Sequence, residues 1–129
     1  GALWLDPQAL KEKLESSGID GVSFRTIWYK PMAGSLKGEL VKGLQFFFTD
    51  YGKARITEVQ FHVMQAVAEL YPDKKAFDII DGYGLFDKVC GTDYVRLEFS
   101  KGYKTEDIID YWRKDEASFR ALSQKYHIY

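Results

Sequence analysis

The sequence predicts an α+β domain: a small antiparallel sheet packed against several helices, with a helix-rich C-terminal half. Three observations carry this. Two stretches in the first half alternate in side-chain character, as strands do. The chain after them carries apolar residues three and four apart, as amphipathic helices do. Helical stretches outnumber extended ones, and the two strands are close enough in sequence to pair antiparallel.

Asp6-Pro7 predicts an N-cap and first helical residue, because proline loses nothing where its N–H would be unpaired. Leu10 and Leu14 share a face, and Gly18 can take the left-handed position after the helix, so the first helix spans about 7–17. From Gly21 to Lys30, Val22, Phe24, Thr26 and Trp28 fall on one face and Ser23, Arg25, Ile27 and Tyr29 on the other, a strand that ends before Pro31. Residues 31–40 hold two glycines and one proline and form a loop. A second strand follows at about 41–49. Its Leu44, Phe46 and Phe48 share a face and Phe47 looks the other way, which predicts a central strand covered on both sides.

Thr57-Glu58-Val59-Gln60 fits a capping box, and Val59, Val63, Val67 and Leu70 form a stripe widened by Phe61, Met64 and Ala68. Pro72 stops this helix, about 58–71. Residues 73–84 are expected to be irregular, with Phe77, Ile79 and Ile80 pinned to the core. A short helix over Leu85–Cys90 closes at Gly91. Thr92 caps another at about 93–100, ended by Gly102. Thr105 caps a last helix, about 106–124, with Ile108, Ile109, Trp112, Phe119 and Leu122 as its stripe. The closing Tyr126-His127-Ile128-Tyr129 is apolar, so it is expected to pack, with a short strand as one form.

The 129 residues and 14.9 kDa suit one domain over 1–129. Eighteen Lys and Arg against nineteen Asp and Glu leave a net charge of −1, which argues against a nucleic-acid binder. No apolar run is long enough for membrane insertion. The single cysteine, Cys90, excludes an internal disulfide and any multi-cysteine zinc site. Aromatic residues are the outlier at 16%. The chain opens Gly1-Ala2-Leu3 without an initiator Met, which suggests an excised piece of a longer protein.

No catalytic residue, metal ligand or cofactor motif stands out. His62, beside Glu58, Gln65 and Glu69, reads as part of a solvated helical face. Cys90 reads as a small buried hydrophobe. There is no phosphate-binding glycine pattern and no nucleophile elbow. Glu39, Asp50, Asp78, Asp81, Asp87 and Asp93 lie in or near loops, where turn and cap roles are commoner than catalysis, and spacing singles out no pair. The segment Trp28 to Glu39 is more informative. Aromatics stand beside Lys30, Lys37 and Glu39 on a glycine-containing loop. That chemistry suits stacking on a sugar and hydrogen-bonding its hydroxyls or a carboxylate, and it equally suits strand core with solvated lysines.

Phe24-Arg25-Thr26, Lys30-Pro31, Lys37-Gly38-Glu39, Lys42-Gly43-Leu44-Gln45 and Thr49-Asp50 occur in an order that resembles a known family. So do Phe86 through Asp93, Tyr111-Trp112, Phe119-Arg120 and Tyr126 through Tyr129. From about Leu5 to the end, the chain resembles the C-terminal domain of the bacterial exo-β-N-acetylmuramidase family NamZ, formerly a domain of unknown function, in a Bacteroides-like spelling. It departs from many members at Pro31-Met32-Ala33-Gly34 and Leu40-Val41-Lys42-Gly43.

The resemblance implies a two-domain glycoside hydrolase of the cell wall. An N-terminal Rossmann-like domain, absent from this chain, would carry the catalytic carboxylate and release N-acetylmuramic acid from peptidoglycan. This chain would be the non-catalytic partner, lending loop residues to the cleft. The expected substrate-binding residues are Tyr29, Lys30, Lys37 and Glu39, then Thr92, Asp93 and Arg96. The expected partners are the catalytic domain and muramyl glycans, and the expected location is exported or periplasmic. A free-standing carbohydrate-binding or protein-interaction module is the alternative.

Overall fold

The computed structural model describes residues 1–79 and 83–128, Ile79 by its backbone alone. The elements are helix α1 (Pro7–Ser16), strands β1 (Val22–Tyr29) and β2 (Val41–Phe48), helix α2 (Val59–Leu70), a single turn α3 (Ala76–Ile79), then α4 (Gly84–Cys90), α5 (Tyr94–Gly102), α6 (Glu106–Arg113), α7 (Glu116–Ser123) and a 3-10 turn at Gln124–Tyr126. The class is α+β, as the alternation and the helical stripes predicted. The chain divides into two compact units, Gly1–Lys75 and Ala76–Tyr129.

In the first unit β1 and β2 pair antiparallel, Val22 opposite Phe48 and Tyr29 opposite Val41. The Asp6 carboxylate caps α1 by accepting from the N–H groups of Gln8 at 2.9 Å and Ala9 at 3.2 Å. The Asp6 N–H donates to the Tyr71 hydroxyl at 2.9 Å, which ties the start of α1 to the end of α2. Leu5, Leu10, Leu14, Phe24 and Ala66 form the core, with Val22, Leu44, Val63, Val67 and Leu70 packed around it. Each large side chain buried there contributes about 1.5–3 kcal/mol.

Three expectations fail in this unit. The sheet has two strands among the described residues, and the far edge of β2 meets only the isolated Ala2–Lys42 bridge. The helices cover the Phe24 face. The opposite face is covered at its Val41–Gly43 end, where a side chain on Gly43 would meet Gly1 Cα at 2.9 Å, and Phe47 further along is 40% exposed. The predicted capping box is also different. Glu58, not Thr57, occupies the cap position of α2 and makes no side-chain capping bond, while Gln60 Nε2 donates to the Thr57 carbonyl at 3.0 Å. The polar face expected around His62 is partly covered as well. Glu58 is buried and His62 and Gln65 are half-buried, because Phe61, Ala66 and Ala68 widen the buried arc of the helix.

In the second unit Gly91 closes α4 at φ 72°. The Thr92 hydroxyl then accepts from the Tyr94 N–H at 3.1 Å and starts α5. Phe77 is pinned as expected, its ring 5.0 Å from Phe86 and 6.1 Å from Tyr103. Ile80 and the side chain of Ile79 lie outside the described residues. Val95, Phe99, Tyr103 and Ile108 are buried.

Gly102 ends α5 as expected, and Tyr103 after it takes the left-handed position at φ 54°. Three expectations fail here. Thr105 stands at the start of α6 without a side-chain capping bond. The single helix expected over 106–124 is two helices: α6 stops at Arg113 and α7 starts at Glu116, with Asp115 at φ −103° and ψ 0° and its carbonyl accepting from Ser118 Oγ and the Phe119 N–H. The stripe divides with it: Ile108 is buried, whereas Phe119 is 68% exposed. The C-terminal segment forms no strand among the described residues, and Ile128 is 89% exposed. Tyr129 lies outside the described residues.

Candidate functional site

The β1–β2 connection carries the first group of expected site residues. Pro31 accepts from the Gly38 N–H at 3.0 Å, closing the loop at its neck. Tighter turns inside it join the Lys37 N–H to Gly34 at 3.2 Å and the Glu39 N–H to Leu36 at 3.1 Å. Tyr29 is the last residue of β1, opposite Val41. The backbone therefore brings Tyr29, Lys30 and Glu39 to the neck, with Lys37 one residue inside. All four are exposed. Trp28 is 55% exposed and Met32 88% exposed, so strand-core packing does not account for this aromatic and apolar surface.

Thr92, Asp93 and Arg96 form the second group, at the α4–α5 turn of the other unit. Thr92 works as a cap, and Asp93 precedes the first residue of α5. Arg96 Nε donates to Asp87 Oδ1 at 2.8 Å and Nη2 to Asp87 Oδ2 at 2.8 Å. Its guanidinium also lies 4.2 Å from the centre of the Tyr83 ring. The bonds from Arg96 hold the Asp87 carboxyl below its ordinary range, against the burial that would raise it. Asp87 is thus a structural anion.

A concavity of about 270 Å³ opens beside that turn, lined by Cys90, Gly91, Thr92, Val95, Tyr111, Trp112, Lys114 and Asp115. Its far wall is the junction between α6 and α7, so it exists because the predicted single helix breaks at Asp115. Tyr111 stacks against Tyr94 with ring centres 4.3 Å apart, and Lys114 Nζ lies 3.9 Å over the Tyr111 ring. Of the lining residues only Thr92 was expected at a site. The Lys114-Asp115 junction holds neither Pro nor Gly, so the sequence carries no break signal there.

The remaining chemistry is quiet. Burial, then the nearby Asp87 charge, pushes the Cys90 thiol up, away from the thiolate a nucleophile needs. Asp50 takes a turn role, accepting from the Gly52 N–H at 2.9 Å. Asp78 approaches the Tyr103 hydroxyl at 3.5 Å, and Asp81 lies outside the described residues. Among the described residues no group of three or more His, Cys, Asp or Glu is placed to hold a metal, and no helix is long and apolar enough to cross a membrane.

Comparison with known proteins places this architecture. The family model described as exo-beta-N-acetylmuramidase NamZ, C-terminal, matches residues 1–129. The peptidoglycan beta-N-acetylmuramidase NamZ of Bacillus subtilis (strain 168) is 30% identical over 129 residues, which are all of this chain and 30% of that protein. The crystal structure of a DUF1343 family protein from Bacteroides fragilis NCTC 9343 superposes with a TM-score of 0.93 at 41% identity, over 99% of this chain and 34% of that one. The chain therefore spans about a third of the length of the relatives it matches. An α+β chain matched from end to end by that family model belongs to the NamZ C-terminal domain family.

Proposed function

We propose that this domain is the non-catalytic partner of a glycoside hydrolase that removes N-acetylmuramic acid from peptidoglycan fragments. It buttresses a catalytic domain encoded in the same protein, a Rossmann-like one that carries the catalytic carboxylate, and it lends loop residues to the sugar cleft. Tyr29 stacks on or hydrogen-bonds the glycan, Lys30 or Lys37 pairs with the lactyl carboxylate, and Glu39 accepts from hydroxyls. Thr92, Asp93 and Arg96 act at the α4–α5 turn. The capping and ion-pair bonds of Thr92 and Arg96 favour a positioning role for those two. The work is done on cell-wall material outside the cytoplasm.

The single observation behind this reading is the β1–β2 connection. It gathers cations, a carboxylate and aromatics at an ordered, exposed neck that contributes little to the core. The share of the relatives' length left unmatched supports a partner domain. The test measures muramic acid release from a chromogenic muramide. The 129-residue chain alone is expected to release none, and the protein joined to its catalytic domain is expected to be active. Turnover by the isolated chain overturns the reading.

A further inference from the structure

We propose that the sheet face turned away from α1 and α2 is the docking surface for the domain encoded upstream of Gly1, with Phe47 and Arg25 at its centre. The proposal rests on the reading of a partner domain given above and says where on this chain that domain sits.

Strand alternation divides β1 and β2 between two faces. Phe24 and its cross-strand partner Phe46 turn toward the helices. Arg25 and Ile27 of β1, with Gln45 and Phe47 of β2, share the other face. Among the described residues no layer covers this part of it: Phe47 is 40% exposed, and Arg25 and Gln45 are exposed. A two-stranded ribbon with one bare face is marginal in water. The side chains there are nevertheless ordered. Arg25 Nη2 donates to Gln45 Oε1 at 2.7 Å, and its guanidinium lies 5.6 Å from the centre of the Phe47 ring. The ring offers a partner an apolar contact, and the further N–H donors of Arg25 offer it a place for a carboxylate.

The course of the backbone names the occupant. Gly1 lies over this same face, at its Val41–Gly43 end. A Cβ on Gly43 would meet Gly1 Cα at 2.9 Å and Gly1 N at 3.4 Å, and a Cβ on Gly1 would meet Val41 Cγ1 at 2.7 Å and the Tyr29 hydroxyl at 3.2 Å. Two backbone bonds between Ala2 and Lys42, 2.8 and 3.1 Å, hold it there. The matching family model is a C-terminal one, and this chain spans 30% and 34% of two relatives, so the remainder of such a protein precedes Gly1. Chain joined to the Gly1 nitrogen therefore leaves from this face. Phe47 stands about 13 Å beyond Gly43 along β2, a distance that about four extended residues span. A domain on so short a tether is held over the face at high effective concentration. Tyr29 stands at the same end, so docking there also turns the neck of the β1–β2 connection toward that domain. Phe119 and Leu122 of α7, exposed in the other unit, are the rival surface.

Hydroxyl-radical footprinting compares the 129-residue chain with the protein that carries its upstream domain. Labelling of Phe47 is expected to fall about fivefold in the longer protein, as a ring 40% exposed becomes buried. Phe46, 39% exposed on the opposite face, is expected to label alike in both. Phe47→Asp places a charge in the interface, so in the longer protein it is expected to speed proteinase K cleavage ahead of Gly1 by about tenfold. The same change is expected to leave the denaturant midpoint of the 129-residue chain in place. Equal labelling of Phe47 in the two proteins overturns the proposal. So does protection of Phe46 or Phe119 in its place, or cleavage that Phe47→Asp leaves unchanged. Muramic acid release by the 129-residue chain would overturn the functional reading and leave the footprint to decide this one, so the two fail separately.

Discussion

Arg96 grips Asp87 with two parallel hydrogen bonds, Nε to Oδ1 and Nη2 to Oδ2, each at 2.8 Å. The pair staples α5 to α4 across the Gly91-Thr92 turn. Because Arg96 holds the Asp87 pKa below its usual 3.8, the ionised form is favoured by folding. Its contribution is present above the ordinary carboxylate range and is lost as pH falls through the depressed value. Urea midpoints of the second unit should therefore fall as pH drops below about 4. Asp87→Asn should lower the midpoint at neutral pH and flatten that acid limb. An unchanged acid limb in the variant would assign it to other carboxylates.

Tyr103 makes the opposite prediction at high pH. Its hydroxyl accepts from the Phe77 N–H at 3.0 Å, and burial first, then Asp78, raises its pKa above the usual 10.0. A raised phenol is neutral in the fold, so its contribution is complete below the ordinary value and is lost as pH climbs through the raised one. Tyr103→Phe removes that loss. At neutral pH it also takes the acceptor from the Phe77 N–H, at a cost of about 1 kcal/mol. Denaturant curves of the two proteins should thus converge above pH 10, and parallel curves would refute the assignment.

Elements with a local signal were legible in the sequence. Asp6-Pro7 marked α1 because a cap and a pre-set φ act within one turn. The alternation of Val22 to Tyr29 marked β1 because a strand's period is two. What was not legible depended on distant contacts. Phe46 and Phe47 predicted cover on both sheet faces, but apolar residues say only that burial is favourable, not that a layer exists to provide it. The break at Lys114-Asp115 has no Gly or Pro, so the concavity beside it could not be read from the sequence. The left-handed position of Tyr103 after α5 carries no glycine signal of its own. The exposed loop that carries Lys30 to Glu39 was legible because loop composition shows directly in sequence.

That loop separates stability from function. Lys37 and Glu39 are exposed in a loop closed by backbone bonds, so alanine at either should change stability by less than about 0.5 kcal/mol. In the protein joined to its catalytic domain, Lys37→Ala should lower kcat/KM for a muramide by about tenfold, chiefly through KM, because a lost carboxylate partner weakens ground-state binding too. A glycan lacking the lactyl carboxylate should show no such difference. Equal loss on both substrates would remove Lys37 from carboxylate recognition.

Gly21, where the chain enters β1, makes the sharpest test of the first unit. Its φ of 68° is left-handed, and a Cβ there would meet the Asp50 carbonyl at 2.4 Å and the Ala54 nitrogen at 2.9 Å. Both obstacles are backbone, and the Gly21 carbonyl itself accepts from the Thr49 N–H at 2.8 Å, so none can yield without opening the turn after β2. Gly34 is also left-handed, at φ 85°, but a Cβ on it would meet open space. Gly34→Ala should cost only the conformational term, about 1–2 kcal/mol. Gly21→Ala adds the clash and should cost more than ~2 kcal/mol, seen as a lower denaturant midpoint at an unchanged slope. Similar losses at the two glycines would mean that the turn after β2 gives way easily, and that the close approach of Gly21 to Asp50 does not constrain the entry to β1.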